Sequence, residues 1–122
     1  MIDKQIYINT LLWQVREEAN DVIKIDAEEY GQDDTEFYCG VCLYPIQTIE
    51  INEALCEDQK IRTLKHELVH AWLFSWGMRR DSYTEEEICE FFANNSTNIE
   101  LLTEAILEEE KPLTEEIENG EI

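Results

Sequence analysis

His66, Glu67 and His70 stand in the order His-Glu-x-x-His within Thr63-Leu64-Lys65-His66-Glu67-Leu68-Val69-His70-Ala71-Trp72, and the two histidines are the only ones in the chain. On an α-helix, side chains four residues apart lie one above the other on one face. Two imidazoles can therefore converge on one ion while Glu67 projects beside it. Neutral imidazoles are zinc ligands, and a carboxylate between them is placed to act as a base. The pattern points to one Zn2+ per chain, held by His66 and His70. It also requires a helix around it. Ile61, Leu64, Leu68, Trp72 and Trp76 repeat at three to four residues, and Val69, Leu73 and Phe74 widen the stripe. Such a helix, over residues 58–76, is central to its domain, with Asp58 expected to cap its start and Gly77 to close its end in the left-handed conformation.

A catalytic zinc site usually carries three protein ligands and one water. With no third histidine, the remaining ligand is a carboxylate or a thiolate. Glu85, Glu86, Glu87 and Glu90 begin the next helix, which opens on a capping box from Thr84 to Glu87, with Tyr83 placed to staple against Ile88. Glu87 is engaged by that box. Glu86 and Glu90 are four apart and share a face with Cys89 and Ala93, residues small enough to allow close approach to the first helix. Ile88, Phe92, Ile99, Leu102 and Ile106 continue the apolar stripe, although Asn94-Asn95-Ser96-Thr97-Asn98 is a poor helix interior and is expected to break it. Tyr83, Arg79 and Arg80 are candidates to stabilise an oxyanion.

Two hairpins precede these helices. Over residues 5–17, Ile6, Ile8, Leu11, Trp13 and Val15 alternate with polar neighbours about a turn at Asn9-Thr10, with a helix from Leu11 as the competing reading, since Leu12, Val15 and Ala19 also fit a helical period. A second pair of strands, 36–42 and 47–52, flanks Leu43-Tyr44-Pro45-Ile46. Residues 21–34 are acidic and weakly periodic and carry no readable function. The fold class is α+β: a small antiparallel sheet packed against the central histidine helix and a following ligand helix. Residues 1–107 form a single domain, and 108–122 an acidic, flexible tail.

Composition limits the partners. The chain has 122 residues, enough for one domain that buries roughly two-thirds of its unfolded surface. It carries 29 acidic against 9 basic residues, a net charge of -20, which disfavours nucleic acid and anionic membrane and favours solubility or a basic partner. No apolar stretch is long enough to span a bilayer and no leader pattern opens the chain, so a cytoplasmic location is expected. There Cys39, Cys42, Cys56 and Cys89 are reduced. Cys39-Gly40-Val41-Cys42 lacks the second cysteine pair of a four-thiolate zinc site and reads as strand residues.

His66-Glu67-Leu68-Val69-His70 followed by Glu86-Glu87-Ile88-Cys89-Glu90-Phe91-Phe92-Ala93 resembles the ImmA/IrrE family of zinc metallopeptidases of bacteria and their mobile elements. In that family the motif helix is followed by Glu-x-x-Ala-(Asp or Asn)-x-Phe-Ala. Glu86 falls on the ligand carboxylate, Cys89 on the alanine, Glu90 on the acid or amide, and Phe92-Ala93 on the closing pair. The likeness covers about residues 36–100. SprT-like zinc peptidases are a neighbouring resemblance but tend to use a third histidine. The family resemblance implies a cytoplasmic endopeptidase that cuts a specific protein, a repressor or regulator of a mobile element. Glu67 would be its base, His66, His70 and Glu86 its zinc ligands, and Glu90 a hydrogen-bond acceptor orienting a histidine. By analogy with zinc peptidases, substrate would lie along a sheet edge, expected at the strand around residues 49–51. The competing expectation is a zinc-containing acidic module that binds a protein without cutting it.

Overall fold

A computed structural model describes residues 1–32, 35–78 and 83–108 of the chain. Among them are four strands and three α-helices: β1 (Asp3–Ile8), β2 (Leu11–Glu18), α1 (Asn20–Glu29), β3 (Gly40–Leu43), β4 (Thr48–Asn52), α2 (Glu57–Ser75) and α3 (Glu85–Leu107). The architecture is α+β, but the sheet is mixed, in the order β1-β2-β4-β3. This corrects the all-antiparallel expectation.

The local cause of each hairpin is plain. Asn9 and Thr10 both adopt positive φ, 45° and 72°, the twist that a two-residue hairpin between right-twisted strands requires. Ile8 then pairs with Leu11, and Ile6 with Trp13. A 3-10 turn over Tyr44–Ile46 ends with Gln47 in the left-handed region and returns the chain as β4, antiparallel to β3. The parallel step is long-range. α1 carries the chain across one face of the sheet, so β4 enters beside β2 in the same direction, with Gln14 opposite Thr48 and Glu18 opposite Asn52.

Period-two alternation then sorts side chains to the two faces. Trp13 and Val15 of β2 and Ile49 and Ile51 of β4 are fully buried and join Leu64, Leu68 and Ala71 of α2 in the main core, with Ile99 and Ile106 of α3. Each such side chain contributes roughly 1.5–3 kcal/mol by leaving water. The opposite face holds a smaller cluster in which Ile23 and Ala27 of α1 pack on Tyr38, Val41 and Leu43.

α2 begins at Cys56, whose side chain makes no cap hydrogen bond, so Asp58 lies inside the first turn rather than capping it. Its other end matches expectation. Gly77 has φ 79°, its N–H donates to the Phe74 carbonyl at 2.9 Å, and Met78 donates to Leu73 at 2.9 Å. α3 opens with both bonds of the capping box, Glu87 N–H to Thr84 Oγ1 at 3.1 Å and Thr84 N–H to Glu87 Oε1 at 2.9 Å. It runs unbroken through residues 94–98, contrary to expectation. Asn95 explains this: its amide donates to the Phe91 carbonyl at 3.1 Å, and its oxygen accepts from Trp72 Nε1 at 3.0 Å. The expected tail beyond Glu108 lies outside the described residues. No helix among them is long and apolar enough to cross a membrane.

Candidate functional site

α2 is pinned by its apolar stripe, and that fixes what its other faces present. Leu64, Leu68 and Ala71 are fully buried against the sheet, while His66 is exposed and His70 half-buried. The two imidazoles converge: Nε2 to Nε2 is 3.3 Å, with ring centroids 4.9 Å apart. Two imidazoles bound to zinc at tetrahedral angles stand about 3.3–3.4 Å apart, from zinc–nitrogen bonds of about 2.0–2.1 Å. The observed separation therefore fits the edge of such a site. Without an ion, the same spacing lets one neutral ring donate to the other.

Glu67 is only 7% exposed, and burial alone pushes its carboxyl up to about 7. No hydrogen bond or ion pair joins it to another described residue. It lines a cleft of about 290 Å³ together with His70, Tyr38, Gly40, Cys42 and Tyr44. The far wall of that cleft is β3, an edge strand of the sheet.

Gly40 allows this close approach. A Cβ there would stand 2.7 Å from Thr63 Cγ2 and 3.0 Å from the Glu50 carbonyl oxygen. Thr63, Glu67 and His70 share one face of α2, so a bare backbone at position 40 brings the edge strand onto the face that carries the chemistry. The expected substrate strand is thereby corrected. β4 is internal, paired on both sides, and its Ile49 and Ile51 are fully buried; the edge strand beside Glu67 is β3.

On its other side the histidine pair borders a groove between α2 and α3. Val69, Leu73, Tyr83, Ile88, Phe92 and Ile99 supply its apolar wall. Tyr83 thus reaches the histidines' groove, and its hydroxyl donates to the Met78 carbonyl at 3.4 Å. Glu86 is exposed and is not among the groove's lining residues; it sits two residues ahead of Ile88, about 200° around the helix. Glu90 accepts a hydrogen bond from Asn94 at 3.3 Å. Among the described residues, no three His, Cys, Asp or Glu side chains come together as a metal-binding group. The structure pairs the His66 and His70 imidazoles, sets Glu67 in a cleft that His70 also lines, and brings Tyr83 to the histidines' groove, but does not bring Glu86 or Glu90 to them. Arg79, Arg80 and the side chain of Glu85 lie outside what is described.

Cys42 is buried in β3 and Cys39 is exposed just before it; the four cysteines are free. The sequence reading missed the β3 edge and Arg62. Arg62 had a signal: it lies four residues before His66, on the same helical face. No protein-family model, no curated protein and no solved structure matches this chain.

Proposed function

We propose that the chain is a zinc-dependent endopeptidase acting on a specific protein, as its resemblance to the ImmA/IrrE peptidases implies. The observation that carries this reading is the 3.3 Å approach of the two Nε2 atoms beside a buried, cleft-lining carboxylate. A purely structural zinc site has no use for a base between its two histidines. His66 and His70 would hold the ion, and a carboxylate from the first turn of α3 would complete its ligands, with Glu86 the candidate. The ion supplies Lewis-acid activation of water and carbonyl. Glu67, with its carboxyl near 7, is suited to take a proton from the attacking water and return it to the leaving amine. β3, the edge strand beside Glu67, would be the strand with which an extended substrate backbone pairs. The repressor of a mobile element remains the substrate class that the resemblance implies.

One observation favours the alternative, a zinc-containing module that binds a partner without cutting it: the net charge of -20 supplies attraction for a basic partner. Zinc content after dialysis, compared for the wild type, His70→Ala and Glu86→Ala, is the test. One tightly held zinc weakened by both substitutions supports the His-His-Glu site. A well-folded wild type without zinc would sink the peptidase reading.

A further inference from the structure

The groove between α2 and α3 is larger than a metal site needs. It encloses about 730 Å³, and its apolar wall includes Phe92, which is 52% exposed. α3 runs back along α2, as the contacts of Lys65 with Glu100 and of Trp72 with Asn95 show. The groove therefore has two chemically different ends. Leu73, Tyr83, Ile88 and Phe92 line one; Arg62 and Lys65 line the other, beside Ile99 and the Glu100 carboxylate that Lys65 engages, with the histidines between. Lys65 is held by Glu100 at 2.9 Å. Arg62 is exposed and has no ion pair among the described residues. Arg16, Lys24 and Lys60 are each engaged by carboxylates; of the described basic residues, Arg62 and the distant Lys4 have no ion pair, and Arg62 is the one beside the histidines.

Resting on the peptidase reading, we propose that this groove selects the substrate: an extended segment with a bulky apolar side chain and an acidic residue two to four positions away. The apolar end takes the first side chain and Arg62 pairs with the second. The spacing follows from helix rise. From Arg62 to Val69 and Leu73 is about 10–16 Å along α2, and an extended peptide covers about 3.3 Å per residue, less the reach of the arginine side chain. The contact with Arg62 is short-range. At physiological salt, exposed charges more than about 8 Å away are largely screened, so the nearby guanidinium, rather than the net acidity of the chain, governs contact.

Blocked hexapeptides with Phe or Ala at one position and Asp or Lys three positions away, in both orders, test this. They are titrated by calorimetry against the Glu67→Gln chain with zinc present, and against that chain carrying Arg62→Glu or Phe92→Ser. Both added positions are exposed, so the fold should tolerate them. In one of the two orders, the Phe/Asp peptide is expected to bind about tenfold tighter than the Phe/Lys or Ala/Asp peptide. Arg62→Glu should reverse the Asp-over-Lys preference, and Phe92→Ser should shrink the Phe advantage. Equal affinities across the panel, no reversal with Arg62→Glu, or no binding up to about 1 mM overturns the proposal. The same peptides offered to the wild type separate the two readings. Cleavage without preference removes the groove's role and leaves the peptidase; preferential binding without cleavage removes the peptidase and leaves the groove as a docking site.

Discussion

Glu67 and Glu50 are both buried carboxylates pushed up to about 7, and they lie on opposite sides of the sheet. Glu67 projects from α2 into an open cleft, and burial is the sole cause of its shift. Glu50 projects from β4 toward α1 and is 0% exposed. Burial again is the largest cause, followed by the facing carboxyl of Asp26, and the Arg16 guanidinium offsets part of the rise. Arg16 Nη2 donates to Glu50 Oε2 at 3.0 Å, which leaves Glu50 Oε1 without a donor. A proton on Glu50, shared toward Asp26, would fill that gap. The same displacement of a carboxyl thus has two meanings. Where the group faces a cleft beside two histidines it is available to a reaction; where it is sealed under a helix it only couples folding to pH.

Paired substitutions break this comparison most sharply. Glu67→Gln should lower hydrolysis about 10²–10⁴-fold, the usual contribution of a general base, while zinc content stays near wild type and urea stability does not fall. Glu50→Gln should leave hydrolysis and zinc unchanged. If Glu67→Gln keeps partner-dependent activity, proteolysis is not what the chain does.

The converse effect belongs to Glu50. Between its ordinary value of 4.5 and about 7, the folded chain holds a proton there that the unfolded chain has released. Its contribution to stability is therefore complete below about 4.5 and is lost as pH rises from there through 7, by on the order of 3 kcal/mol. Urea midpoints across that range, wild type minus Glu50→Gln, should show the decline. A pH-independent difference would mean that Glu50 is ionised in the fold.

Gly40 bears on the Glu67 side alone, because a Cβ there would stand 2.7 Å from Thr63 Cγ2 on α2 and 3.0 Å from the backbone oxygen of Glu50. Gly40→Ala must move β3 away from α2, at a cost of about 1–3 kcal/mol for overpacking. It should also widen the cleft at Glu67 and reduce hydrolysis more than the stability loss explains. Denaturation and initial rates on one preparation check both; unchanged rates would detach the β3 edge from substrate binding.

Features encoded in a few neighbouring residues were legible in the sequence. Alternation and Asn9-Thr10 specified the first hairpin, Gly77 the end of α2, Thr84 and Glu87 the start of α3, and the histidine spacing the convergent pair. What escaped depends on distant partners. α1 buries only Ile23 and Ala27 fully, and Ala19 before it has no side-chain oxygen to announce a helix, so its sequence resembles an acidic loop. Nothing local told β4 to enter between β2 and β3, and alternation is alike in edge and internal strands. That is why the strand facing Glu67 was misassigned. The continuity of α3 through Asn94 to Asn98 rests partly on Trp72, 23 residues from Asn95 in sequence.

The smallest expected effect tests whether the start of α3 belongs to the chemistry or only to the fold. Thr84 Oγ1 satisfies the Glu87 amide, one of the free N–H groups at the helix start. Thr84→Ala should cost about 1 kcal/mol and loosen the first turn, on which Glu86 sits. If Glu86 is a zinc ligand, that looseness should also weaken zinc binding severalfold, while the pH dependence assigned to Glu50, on the far face of the sheet, keeps its slope. Stability lost with zinc affinity intact would show that the turn carrying Glu86 is not part of the metal site. The third ligand would then have to be sought elsewhere.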